Sequence, residues 1–81
     1  MFIALDYDKT YTADPTLWND FVQAAQTRGH EVKIVTMRRP DEAVSNVPVD
    51  VVYTSRKAKA SIVKADIWID DSPNWIYQDS P

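Results

Sequence analysis

Four carboxylates stand out for where they fall. Asp6 closes the short apolar run Phe2-Ile-Ala-Leu, Asp8 follows two positions later, and Asp70-Asp71 close a second run, Ile67-Trp-Ile. If both runs are neighbouring strands of a parallel sheet, these acids meet at one edge, where they repel one another unless protons or a cation neutralise them. A bound Mg²⁺ is the economical solution. The chain has no Cys and only one His, His30, so oxygen ligands are what remain, and they suit magnesium or a similar hard ion. Either pair alone also fits a solvated turn, because Asp is common where strands end. The conjunction of the two pairs is what points to a metal site.

Other side chains fall at the same predicted edge. Thr36 ends the segment 31–36, where its hydroxyl could meet a phosphoryl oxygen, although a threonine there also serves as β-branched strand filler. Lys57 and Lys59 stand at the start of a predicted helix. An ammonium in that position could hold a neighbouring Asp ionised and offset phosphate charge, or be merely solvated. Arg38 and Arg39 divide in the same way between phosphate clamps and simple surface charge.

The elements that position these groups are read from periodicity. Segments 2–6, 31–36, 50–54 and 66–70 read as strands, the first apolar on both faces and therefore central. Asp14-Pro15 offers an N-cap and a first-turn proline for a helix in which Leu17, Phe21, Ala24 and Arg28 recur, with Trp18, Val22 and Ala25 widening the stripe and Gly29 ending it. Pro40-Asp41-Glu42 can open a short helix with Ala43, Val44 and Val47 on its apolar side. Ser55 can cap another through Ala58, Ile62 and Ala65. The tail from Ser72 shows no period. Alternating strands and helices imply right-handed crossovers and a parallel sheet covered on both faces, with ligands bound beyond the carboxyl ends of the strands.

The 81 residues suffice for one domain, 1–81, with a thin core and no room for a cap domain. The absence of cysteine and of a signal-peptide layout, with apolar runs only strand-sized, gives an expectation of a cytoplasmic protein not embedded in a membrane. The net charge of −3 provides no basic field for nucleic acid, although Arg38, Arg39, Arg56, Lys57 and Lys59 could form a local patch facing phosphate.

Asp6-Tyr7-Asp8-Lys9-Thr10-Tyr11 after an apolar strand resembles the DxDxT signature of the haloacid dehalogenase superfamily of phosphatases. Thr36, a lysine before the fourth strand, and Ile69-Asp70-Asp71-Ser72-Pro73 resemble its other motifs, in the family's order. The stretch Tyr53-Thr54-Ser55-Arg56-Lys57-Ala58-Lys59 is similar to the lysine motif of small capless members, some of them from phages. The resemblance implies a minimal Rossmann-like α/β fold of three layers, with a four-stranded parallel sheet of order 4-1-2-3. It also implies a Mg²⁺-dependent phosphohydrolase in which Asp6 attacks phosphorus and forms an aspartyl-phosphate. Asp8 then acts as acid and base and helps hold the metal, Thr36 and Lys59 (rather than Lys57) bind the phosphoryl group, and Asp70 and Asp71 complete the metal site. A capless site suits bulky phosphorylated substrates such as a nucleotide, a nucleic-acid end or a phosphoprotein.

Two other readings accompany it. One is a non-catalytic binding or regulatory module that keeps the scaffold and the metal, with Trp75, Ile76 and Tyr77 available as an exposed surface. The other is a phosphoacceptor receiver domain, in which the accepting Asp ends the third strand, a position that is Thr54 here.

Overall fold

The computed structural model describes residues 1–81 and is built around a four-stranded sheet. Its strands are β1 (Phe2–Leu5), β2 (Glu31–Thr36), β3 (Val51–Tyr53) and β4 (Ile67–Ile69). Every pairing is parallel, and the spatial order is β3-β2-β1-β4. Register sets Leu5 beside Ile34 and Ile69, so β1, β2 and β4 end nearly level. The residues that follow, Asp6 and Asp70, are thereby delivered to one edge.

The helices are α1 (Pro15–Thr27), α2 (Lys59–Ile62) and α3 (Asn74–Tyr77), with a 3₁₀ turn at Tyr11–Ala13. The start of α1 follows directly from sequence: the Asp14 carboxylate accepts from the Leu17 amide at 3.1 Å, and Pro15 occupies a first-turn position that needs no N–H donor. Past its end, Gly29 adopts φ +84, where an L side chain would be strained. Ile3, Leu5, Val32 and Ile34 form one sheet face and pack with Val22, Ala25 and Tyr11 into the main core. Alternation along the strands sends Ala4 and Val35 to the opposite face, where both are buried.

Several expectations are corrected here. The buried stripe of α1 runs through Trp18, Phe21, Val22 and Ala25, while Leu17 and Ala24 face solvent. No helix forms over 40–47. That segment is irregular: Asn46 sits at φ 60, Pro48 follows, and the Val44 amide donates to the Tyr53 hydroxyl at 2.9 Å instead of to a helical carbonyl. Ser55 caps no helix, because Ser55 and Arg56 occupy the left-handed region consecutively, at φ 52 and 68, so α2 is confined to one turn. The Rossmann-like three-layer expectation is accordingly replaced by a small parallel sheet with one full-length helix and two short turns of helix that pack on each other. No helix is long and apolar enough to cross a membrane.

Replacing Asp14 with Ala should cost about 1 kcal/mol by removing the α1 cap. A drop in urea midpoint with unchanged slope checks this; an unchanged midpoint contradicts it.

Candidate metal centre

The carboxyl edge of the sheet collects a lysine and three carboxylates. Lys59 is buried, with Nζ 2.7 Å from Asp6 Oδ1 and 2.7 Å from Asp70 Oδ2. Asp71 stands beside them, and one carboxylate oxygen from each of Asp6, Asp70 and Asp71 lies within 4.8 Å of the others. β1 delivers Asp6, whose amide donates to the Ile69 carbonyl at 2.9 Å, and β4 delivers Asp70 and Asp71. The left-handed pair Ser55-Arg56 turns the chain back from β3 so that α2 begins with Lys59 pointing inward. Asp70 is held in place by the Ser72 amide, which donates to its Oδ1 at 2.9 Å.

Charge does not balance in this cluster. One ammonium faces three carboxylates. The Thr10 hydroxyl lies 3.0 Å from Asp6 Oδ2 and 3.1 Å from Asp71 Oδ1, yet its single proton can serve only one of them. The remainder falls to a proton, a cation or, at exposed Asp71, solvent. The Asp6 carboxyl is raised from 3.8 to about 6 by the sum of its surroundings, burial being the largest influence. The hydrogen bond and charge of Lys59 pull it down, while Asp70 and Asp71 push it up. Donors that are all carboxylate oxygen, carrying excess negative charge, fit a hard divalent cation.

The other sequence-derived candidates fall differently. Asp8 lies outside the three-carboxylate group: Arg38 grips it in a fork, Nε to Oδ2 at 3.0 Å and Nη2 to Oδ1 at 2.8 Å. That contact raises the affinity of Arg38 for its proton. Thr36 is buried at the end of β2, lines the same cleft as Asp6 and Lys59, and accepts from the Arg38 amide at 3.2 Å. Lys57 is exposed, 3.8 Å from Asp79, and is not among the residues lining the cleft. Arg39 points toward Asp41 and Glu42 on the surface.

Three residues that the sequence placed only in a motif, a basic patch and an exposed surface take specific positions here. Thr10 bridges two acids, and its place in the Asp6–Tyr11 motif was the available signal. Arg56 lines the cleft while donating to the Met37 carbonyl and to Glu42, and Trp75 forms part of the wall. The cleft encloses about 250 Å³ and is open to solvent.

Residues 6–75 match the family model described as "Protein kinase C delta/epsilon/eta/theta, C2 domain". By this match the chain belongs to that family. The assignment is one of sequence alone: a C2 domain is an antiparallel β-sandwich, and the parallel, helix-connected sheet described above lends it no support. No curated protein and no solved structure matches. Because the match spans Asp6–Tyr11 and Ile69–Pro73, the resemblance to haloacid dehalogenases does not stand on this assignment. The haloacid dehalogenase-like fold and the phosphohydrolase function that the resemblance implies go with it.

Two outcomes follow from the electrostatics. Lys59→Met leaves three clustered carboxylates without their ammonium and should destabilise the metal-free protein by about 3–5 kcal/mol; a loss well under 1 kcal/mol by urea unfolding contradicts the geometry. For pH, the folded state binds the Asp6 proton more tightly than the unfolded chain. This contribution to stability is therefore fully present below 3.8 and lost as pH rises through about 6. The rise corresponds to about 3 kcal/mol. Metal-free wild type should lose stability relative to Asp6→Asn across that window, and parallel pH profiles contradict it.

Proposed function

We propose that this chain is a binding module that uses a divalent cation on Asp6, Asp70 and Asp71 to capture a phosphate-bearing ligand at the carboxyl edge of its sheet. The observation that carries the reading is the charge imbalance: three converging carboxylates, one lysine, and one hydroxyl proton placed between two acceptors. The C2-family match is consistent with a regulatory or binding role. Mg²⁺ is the proposed ion, because a small hard cation that keeps several of its waters needs only a few protein oxygens, whereas Ca²⁺ takes about six to eight. The open cleft suits the exposed end of a bulky ligand, with Thr36, Arg56 and Lys59 supplying polar contacts around it.

When bound, the cation supplies positive charge that an anionic ligand can share. The residues do the rest. Lys59 keeps Asp6 and Asp70 apart in a fixed geometry, Thr10 orients Asp6 and Asp71, and the Ser72 amide fixes Asp70. Proton release from Asp6 must accompany cation binding, so affinity should rise with pH through about 6.

Calorimetric titration with Mg²⁺ and with Ca²⁺ tests the proposal. One site is expected, weakened at least about tenfold, or about 1.4 kcal/mol, in Asp70→Asn and in Asp71→Asn. Absence of binding by either ion overturns the cation. Turnover of a phosphomonoester that disappears in Asp6→Asn overturns the assignment as a binding module.

A further inference from the structure

The Asp8–Arg38 pair is built more elaborately than a surface contact requires. The guanidinium makes two charge-assisted hydrogen bonds to Asp8, donates from Nη1 to the Glu42 carbonyl at 3.2 Å, and lies 5.0 Å from the centre of the Tyr7 ring. Its own backbone amide is anchored on Thr36 Oγ1. Glu42 in turn receives Arg56, so the loops following β1, β2 and β3 are tied together beside the cleft that Asp8 and Arg56 line. Asp8 nevertheless lines that cleft together with Asp6 and Asp71. A fourth carboxylate therefore borders the site but is held from it by an arginine fork whose planar geometry matches carboxylate or phosphate equally well.

We infer that Arg38 is a positioning residue that latches Asp8 away from the three-carboxylate cluster, and that phosphate oxygens arriving at the guanidinium exchange for Asp8 and release it toward the cation. The inference rests on the cation reading above. It adds that cation and anion are coupled through one side chain: each ligand favours the released arrangement, so each strengthens the other. The pair is half exposed, so the latch is weak enough for a ligand to open, on the scale of roughly fivefold in affinity.

The test follows side-chain carboxyl ¹³C resonances of wild type, Arg38→Met and Arg38→Lys during Mg²⁺ titration, then after addition of inorganic phosphate. In wild type, Asp6 should shift with Mg²⁺ while Asp8 stays still until phosphate is added. In Arg38→Met, Asp8 should shift with Mg²⁺ alone, at the same midpoint as Asp6, with affinity roughly fivefold higher. Arg38→Lys keeps the charge without the fork and should fall between them. If Asp8 is unmoved in Arg38→Met while Asp6 responds, the latch is overturned and the cation site stands. If Asp8 moves in wild type with Mg²⁺ alone, or phosphate leaves it unmoved, the exchange is overturned. If Asp6 itself does not respond, the cation reading fails first.

Discussion

Everything at the carboxyl edge depends on one buried ammonium. Lys59 Nζ touches Asp6 and Asp70 at 2.7 Å each, and those two acids come from adjacent parallel strands that end level with one another. Two carboxylates at such a position repel, and burial deepens the cost, so the arrangement persists because the lysine sits between them. The lysine does not finish the task. Asp71 adds a third negative charge, and the Thr10 hydroxyl has one proton for two acceptors. The site is thus stable enough to be built and unbalanced enough to bind something positive.

The fold serves this edge with little material. Parallel pairing puts the carboxyl ends of all four strands on one side, so each following loop opens onto the same cleft. The loop after β1 carries Asp8 and Thr10, that after β2 carries Arg38, and that after β3 carries Arg56 and leads to Lys59. The irregular segment after β2 matters here. Had 40–47 been helical, Glu42 would stand in a helix rather than in a loop that reaches both Arg38 and Arg56. Consecutive left-handed residues at 55–56 are costly for non-glycine side chains, and they lie where the chain must turn sharply to present Lys59.

How much of this was legible in the sequence varied with the range of the interaction. The four strand segments were readable, with ends trimmed by a residue in three of them, because apolar runs flanked by acids leave few alternatives. The Asp14 cap, Pro15 and Gly29 fixed α1 by local chemistry, but its buried face was misread. Leu17 and Ala24 continue an apolar stripe as well as Val22 and Ala25 do, and only the sheet decides which one packs. Asp6, Asp70 and Asp71 were singled out because each falls at a strand end, whereas helix position left Lys57 and Lys59 equal and only the family resemblance preferred Lys59. Asp8 and Thr10 exchanged importance, since the Arg38 fork joins residues 30 apart and no local pattern announces it. The sequence match to C2 domains and the parallel sheet point in different directions, and the carboxylate cluster is a fact of the geometry under either.

The central claim is that Asp6, Asp70 and Asp71 share one divalent ion. Replacing Mg²⁺ with substoichiometric Mn²⁺ and reading paramagnetic broadening of assigned aspartate side-chain resonances tests it most directly. Selective loss of Asp6, Asp70 and Asp71, with Asp14, Asp20 and Asp50 left sharp, is the predicted result. Broadening spread evenly over the surface acids, or centred on Asp41 and Asp79 while Asp6 stays sharp, contradicts it.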